Sequence, residues 1–143
     1  MTTSDDAMSG DSGDAKGAVV AHADAINARD AQGYIAATAF PFTYQNYNGV
    51  ALTVESAAAY GNSAPWPWDI IERSDPNWSH SQFDDIETVL VGENSAVFQV
   101  KFRRVDATGE ISLPYYAIWI AVQKAGAWGV MFRHNVGVVD HET

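Results

Sequence analysis

The second half of the chain alternates apolar and polar residues with a period of two, and this pattern constrains the fold more than any other feature. Turn signals at 92–94, 107–109 and 125–126 divide this half into successive strands. The even positions are almost all apolar: Ile86, Thr88, Leu90, Phe98, Val100, Phe102, Ile118, Ile120, Val122, Trp128, Val130 and Phe132. We therefore expect an antiparallel sheet whose even-numbered face is covered by a helix and whose odd-numbered face is mixed.

The first half of the chain carries helix signals. Asp14 can cap a helix that has Val19 and Ile26 on one side. Asp30 can cap a short second helix, which Pro41 prevents from continuing. Helices followed by hairpin-linked strands are the α+β pattern, in which the helices cover one face of an antiparallel sheet.

Residues 48–79, between the N-terminal helix signals and the alternating segment, carry turn and helix signals of their own. Asn48-Gly49 is the strongest short hairpin signal, and Thr53 can cap a third helix that Gly61 would end. Residues 61–79 form a long connection with three prolines and three tryptophans. We interpret the tryptophans as sealing the end of the core, and the alternative is a lid over a ligand.

Length and charge limit the organisation and the partners. A chain of 143 residues is expected to bury one core, so we predict a single domain over residues 15–139. Residues 1–14 hold four Asp and no Lys or Arg, which indicates a solvated acidic arm. The formal net charge of −10 would repel DNA or RNA, so no nucleic-acid partner is expected. No segment resembles a membrane span or a signal peptide, so we expect a cytoplasmic protein with no membrane partner.

Several kinds of site have no sequence signal. The chain has no cysteine and its four histidines are scattered, so no metal site is expected. No nucleotide-binding or hydrolase motif occurs, and no cofactor is implied.

Four segments carry a family resemblance: Ala25-Ile-Asn-Ala-Arg-Asp30, the Phe40-Pro41 step, His80-Ser-Gln-Phe-Asp-Asp-Ile-Glu-Thr-Val89 and Gly126-Ala-Trp-Gly-Val-Met-Phe-Arg133. With them the chain resembles the nuclear transport factor 2-like (NTF2-like) superfamily, and within it the small SnoaL-like bacterial proteins. The resemblance implies a cystatin-like cone, in which N-terminal helices pack on a strongly curved antiparallel sheet and enclose a pocket. It also implies a dimer. The superfamily includes isomerases, dehydratases and cyclases as well as non-enzymatic binding proteins, so the fold does not decide the function.

Polar residues on the even face are the candidate site residues, because polar groups on an apolar face need a partner. His134 is the first candidate for a general acid or base, and Asp84 is the second. His80, Arg104 and Tyr116 are candidates for substrate binding, the last two as polarising donors. For each of them the alternative is a solvated or structurally satisfied side chain.

The predicted function is binding of a small apolar or aromatic organic molecule, with a cofactor-free isomerase, dehydratase or cyclase as its enzymatic form. Aromatic residues expected at the pocket are Phe40, Phe42, Trp66 and Trp68. No acidic residue lies in the even-numbered middle of the last three strands, where a buried general base is expected. The alternative is a non-catalytic binding or dimerisation module in which these aromatics fill the cone.

The odd face suggests self-association. An apolar patch on the convex side of the sheet would consist of Tyr115, Trp119 and Met131, beside the polar residues Gln99, Lys101 and Arg103. A polar rim around an apolar centre is typical of a two-fold interface, so we predict a homodimer through this patch.

Overall fold

The computed structural model describes residues 14–139, so the predicted acidic arm at 1–14 lies outside the described residues apart from Asp14. The elements follow in this order: α1 (Ala15–Ala28), α2 (Ala31–Ala36), β1 (Thr38–Asn46), β2 (Ala51–Val54), a 3₁₀ turn (Ala57–Ala59), α3 (Pro67–Ser74), β3 (Trp78–Val91), β4 (Ser95–Asp106), β5 (Tyr115–Lys124) and β6 (Ala127–Val138). Between residues 14 and 139, no helix is both long and apolar enough to cross a membrane.

The two N-terminal helices begin at their predicted caps. The Asp14 carboxylate accepts a hydrogen bond from the Gly17 N–H at 2.7 Å. The Asp30 carboxylate accepts one from the Gly33 N–H at 3.1 Å. Each cap satisfies a backbone donor that the first turn of a helix leaves without an intrahelical partner. α1 then buries its apolar side, with Val19 fully enclosed.

One sheet contains the six strands in the order β2-β1-β6-β5-β4-β3. β1 and β6 are parallel, and the other neighbouring pairs are antiparallel. The β1–β2 hairpin turns at the predicted Asn48-Gly49, where Gly49 has the positive φ of 89° that such turns favour. α1 packs across one face of the sheet, against β3, β5 and β6. We call this the inner face and the opposite one the outer face.

The prediction that even-numbered residues face inward is right for β4 and wrong for β5. Phe98 of β4 is buried, but on β5 the buried residues are Ala117, Trp119 and Ala121, whereas Ile118 is partly exposed. Phe98 lies directly opposite Trp119 in the sheet, and cross-strand partners share a face. The inward parity therefore changes from even to odd between the two strands, because the connection that joins them sets an even residue opposite an odd one.

β6 changes its facing within the strand. Its register with β5 shifts around Met131, the extra residue of a bulge. Before the bulge the buried residue is Val130, and after it the buried residues are Arg133 and Asn135. Phe132 is only partly buried. The bulge therefore brings two polar side chains onto the inner face of the sheet.

These facings correct the predicted dimer patch. Tyr115 and Trp119 belong to the inner face, since Tyr115 stacks on Phe102 at 5.4 Å and Trp119 contacts the ring of His22 at 5.3 Å. Met131 is the bulge residue and does not continue a row with them. The three residues do not form one patch on the convex side, because the prediction carried a single parity through strands whose register changes.

The connection between β2 and β3 also differs from the prediction. Thr53 lies within β2, and the expected third helix is reduced to the 3₁₀ turn at 57–59. Instead, the segment 61–79 contains α3, which begins at Pro67 and carries Asp69 in its first turn. A proline at the first helical position and an acidic residue in the first turn are start signals of a helix.

Candidate ligand-binding site

An open cavity lies between α1, α3 and the inner face of the sheet. Its empty volume, including the solvent at its mouth, is about 560 Å³. Most of its walls are apolar, and the lining residues are Ile26, Tyr44, Pro67, Ile70, Ile71, Ser81, Phe83, Phe102, Arg104, Ala117, Trp119, Arg133 and Asn135. A smaller cavity of about 170 Å³ adjoins it and shares Tyr44, Pro67, Ile70 and Arg133.

α3 forms one wall of the cavity, while the tryptophans beside it pack outside. Trp66 and Trp68 stack on each other at 5.1 Å, and Trp66 stacks on Tyr60 at 4.9 Å. Neither indole lines either cavity. Trp78 is buried and its Nε1 donates to Ser81 Oγ at 3.2 Å. The tryptophans therefore seal the core, and it is the aliphatic side of α3, with Ile70 and Ile71, that lines the cavity.

Arg133 is the most unusual residue of the cavity, because it is a cation that is only 8% exposed. Its guanidinium carbon lies 5.1 Å from the ring centre of Phe42, 5.3 Å from Tyr44, 5.7 Å from Trp119 and 6.0 Å from Tyr34. Aromatic faces attract a cation through their quadrupole, which offsets part of the free energy lost when the guanidinium leaves water.

His22 of α1 forms a hydrogen bond with Arg133 on the side away from the cavity. The imidazole is fully buried, and its Nδ1 lies 3.2 Å from the carbonyl oxygen of Ala37, to which it donates. The unprotonated Nε2 then accepts a hydrogen bond from Arg133 Nη1 at 3.4 Å. Burial, and secondarily the charge of Arg133, hold the pKa of His22 well below its ordinary value. The imidazole is therefore neutral at pH 7 and adds no positive charge.

Arg104 supplies a second cation from β4. Its guanidinium carbon lies 5.0 Å from the ring centre of Tyr115, and its backbone N–H donates to Ser112 Oγ at 2.9 Å. The Nε atoms of Arg104 and Arg133 are both buried, and neither has a hydrogen-bond partner among the described residues. Within the described part of the chain, no Asp or Glu lines the cavity.

Three neutral polar groups complete the lining. Burial raises the pKa of the Tyr44 phenol, an effect that the charges of Arg133 and Arg104 partly oppose, so this hydroxyl stays protonated at pH 7. Asn135 Oδ1 accepts from the Gly137 N–H at 2.9 Å. Ser81 is held by two backbone hydrogen bonds to the Asn27 side chain, both 2.8 Å long. Tyr44 and Asn135 can therefore present hydrogen-bond donors to a ligand.

Of the residues proposed from the sequence, Arg104 lines the main cavity and Phe42 lines the smaller one. His134 Nδ1 lies 3.1 Å from Gln45 Oε1, and its cross-strand partner is Ile118, on the outer face. Asp84 forms an exposed ion pair with Arg103, with 2.8 Å between oxygen and nitrogen. The two proposed acid–base residues are therefore outside the cavity.

The remaining candidates also lie apart from the cavity. His80 is exposed and contacts Ser79. Tyr116 lies beside Lys101, with 5.9 Å from the ammonium to its ring centre. Phe40 packs at the core edge against Tyr60, next to the stacked tryptophans.

Sequence reasoning missed Arg133, Asn135, Tyr44 and Trp119. Arg133 and Asn135 flank His134, which was selected because it continues the even parity of Val130. Only the bulge at Met131 could have identified Arg133 and Asn135 as inward-facing residues, and no residue type in this segment predicts a bulge. Between residues 14 and 139, moreover, no three His, Asp or Glu side chains gather closely enough to hold a metal ion.

Comparisons with known proteins bear on the fold. Neither a protein-family model nor a curated protein sequence matches the chain. Among solved structures, an uncharacterised protein with a cystatin-like fold from Caulobacter vibrioides has a TM-score of 0.61 at 14% identity, over 87% of each chain. A ketosteroid isomerase-like protein from Erwinia carotovora atroseptica has a TM-score of 0.61 at 15% identity, over 87% of this chain and 94% of that one.

An NTF2-like protein from Cytophaga hutchinsonii is similar in the same way, with a TM-score of 0.60 at 13% identity over 86% of this chain and 94% of that one. At such low identity the likeness concerns the fold and not the activity. The α+β fold class and the NTF2-like resemblance expected from the sequence are confirmed. The chain has the cystatin-like fold that these NTF2-like and ketosteroid isomerase-like proteins share.

Proposed function

We propose that this protein binds a small organic molecule with an apolar or aromatic body in the cavity between α3 and the inner face of the sheet. The observation that carries the proposal is the open space itself, about 560 Å³ including the mouth. Side chains of Phe83, Phe102, Trp119 and Ile71 form its walls. Natural ligand pockets have such apolar walls with a few placed polar groups.

The cavity supports binding better than acid–base catalysis. A cofactor-free isomerase, dehydratase or cyclase needs a group that takes and returns a proton within reach of the substrate. Among residues 14–139, no carboxylate and no imidazole lines the cavity. His134 and Asp84 lie outside the lining, and His22 is enclosed behind Arg133. The likeness to a ketosteroid isomerase-like protein therefore gives no support to that reaction here.

The alternative of a cone filled by aromatic residues has less support. Trp66 and Trp68 stack outside the cavity, and Phe40 lies at the core edge beside them. The two indoles pack against each other, Phe40 and Trp66 pack against Tyr60, and none of the three rings fills the cavity under α3.

A titration with N-phenyl-1-naphthylamine, a neutral apolar fluorophore, tests the proposal. We expect saturable one-site binding by the natural chain and at least about tenfold weaker binding by Ile70→Trp, in which a larger side chain occupies the cavity wall. Val20→Trp places the same residue on an exposed position of α1, away from the lining, and should bind like the natural chain.

Thermal unfolding would establish that both variants are folded. If Ile70→Trp does not fold, Ile71→Phe provides a smaller occlusion of the same wall. Absence of saturable binding by the natural chain would overturn the proposal. So would equal binding by the occluded variant and the Val20→Trp control.

A further inference from the structure

The cavity contains two guanidinium groups with unused hydrogen-bonding capacity. Arg133 is more than nine-tenths buried. Of its three guanidinium nitrogens, only Nη1 has a hydrogen-bond partner among residues 14–139. The guanidinium of Arg104 donates no hydrogen bond to any residue in that range. Buried polar nitrogens almost always have an acceptor, so two buried Nε atoms without one in the same cavity fit a bound molecule that carries acceptor oxygens.

The charge of these arginines is also uncompensated. The ion pairs between described residues are Arg29–Glu72 and Arg103–Asp84, and neither involves a cavity residue. The whole chain has a formal net charge of −10, yet no Asp or Glu between residues 14 and 139 lines the cavity. An unpaired charge away from water is costly in free energy, and aromatic faces and a neutral imidazole recover only part of that cost.

We infer that the ligand of this cavity is an organic carboxylate, an acid whose ionised group lies against Arg133 and Arg104 and whose apolar body lies against Trp119 and Phe83. This inference rests on the proposed function, since it specifies the chemical class of the molecule that the same cavity binds. Planar guanidinium groups match the two oxygens of a carboxylate in shape and in number of donors.

Arg133 and Arg104 line the same cavity, so an anion bound there would be attracted by both positive charges. Both charges also oppose the rise in the pKa of the Tyr44 phenol, which lines the same cavity. Tyr44 and Asn135 add neutral donors, so the polar part of the lining consists mainly of donors. A carboxylate has about four acceptor positions on its two oxygens, which two guanidinium groups and these donors can satisfy.

A carboxylate fits this lining better than a phosphate ester. The other lining residues, apart from Ser81, are apolar, so the donors come from a few side chains, which surround the two oxygens of a carboxylate more fully than the three terminal oxygens of a phosphate ester. No lysine belongs to the lining. One anionic group joined to a hydrocarbon or aromatic body therefore matches both the polar and the apolar parts of the cavity.

Isothermal titration with matched naphthalene derivatives tests the inference. We expect 2-naphthoate to bind the natural chain at least about tenfold more tightly than the neutral 2-naphthamide, because hydrogen bonds to charged groups are worth more than neutral ones. Arg104→Gln should reduce this preference about tenfold, because it removes a charged donor and so weakens the binding of 2-naphthoate more than that of 2-naphthamide. Arg103→Gln is the matched control, since the adjacent Arg103 pairs with Asp84 and does not line the cavity.

The outcomes separate the inference from the proposed function. If 2-naphthoate and 2-naphthamide bind equally, the inference fails and the proposed function stands. If neither binds, the proposed function fails and the inference fails with it. Tighter binding of 2-naphthyl phosphate than of 2-naphthoate would overturn the assignment to carboxylates. Equal losses in Arg103→Gln and Arg104→Gln would overturn the location at the cavity.

Discussion

Arg133 Nη1 lies 3.4 Å from His22 Nε2, so a buried arginine of the sheet donates to a buried, neutral histidine of the first helix. The contact joins the floor of the cavity to the core beneath it. Because the imidazole accepts a hydrogen bond without carrying charge, it orients the guanidinium and leaves its positive charge uncompensated. An acidic residue in the place of His22 would have compensated that charge from within the protein.

This contact predicts a dependence of stability on pH. Burial, followed by the charge of Arg133, lowers the pKa of His22 in the folded state, whereas the unfolded chain has the ordinary value of about 6.5. Below pH 6.5 the unfolded state therefore binds more protons. The free energy of unfolding should fall as the pH decreases below 6.5, by up to about 1.4 kcal/mol per pH unit from this group, and its contribution should be flat above.

Urea unfolding at pH 7.5 and pH 5.5 measures the effect. His22→Gln removes the titrating group, so its stability should change less between the two pH values than that of the natural chain. His80→Gln alters an exposed histidine and should retain the full change. An identical pH dependence in the natural chain and His22→Gln would show that His22 is not the group responsible.

The facing of β5 can be tested with two adjacent residues. Trp119 is 4% exposed and its ring contacts both His22 and Phe83, so Trp119→Ala should lower the free energy of unfolding by about 3–5 kcal/mol. Ile118 is partly exposed on the outer face, and Ile118→Ala should cost clearly less, about 1–2 kcal/mol. Denaturant midpoints decide between them, and a larger loss for Ile118→Ala would reverse the assignment of faces.

The sequence predicted those features that depend on local chemistry. Caps at Asp14 and Asp30 and the turn at Asn48-Gly49 were predicted correctly, because one or two side chains determine each of them. The succession of helices and alternating strands was sufficient for the α+β class and the curved sheet.

The candidate site was less predictable because it depends on register. A shift of one residue moves every side chain of a strand to the other face, and both the β4–β5 connection and the bulge at Met131 introduce such shifts. His134 was therefore chosen in place of its neighbours Arg133 and Asn135. Arg104 was identified correctly as a cavity residue because β4 keeps the even parity on which the prediction was based.

The close approach of β6 to β1 makes Gly129 a sensitive position. A Cβ atom at Gly129 would lie 2.7 Å from the Thr38 carbonyl carbon and 2.8 Å from the Ala39 nitrogen, both backbone atoms. Gly129→Ala should therefore force the two strands apart and lower the free energy of unfolding by about 1–3 kcal/mol.

Gly126→Ala is the matched control, because Gly126 lies in the turn before β6 and a Cβ there would meet nothing within 4 Å. Its positive φ of 82° should limit the loss to about 1 kcal/mol. Thermal or urea unfolding compares the two variants. Gly126→Ala losing as much as Gly129→Ala would show that backbone strain, and not the close approach, determines the cost.

The outer face of the sheet predicts how the protein associates. Ile120 lies directly between Val97 of β4 and Phe132 of β6, and Ile118 is the next residue of β5 on that face. These apolar side chains are partly exposed, and Gln99 lies beside Ile118 as part of a polar border. An apolar row with a polar border on a sheet face is suited to a second copy of the same face.

We propose that the chain forms a homodimer through this outer row rather than through Tyr115 and Trp119. Ile120→Glu would place a charge at the centre of the row, where it should shift the protein from dimer to monomer at micromolar concentration. Val20→Glu alters a residue that is 39% exposed and lies on α1, not on the outer face of the sheet, so it should leave the dimer intact. Sedimentation equilibrium measures all three proteins. A natural chain that is monomeric at these concentrations would contradict the prediction, and so would an Ile120→Glu variant that remains dimeric.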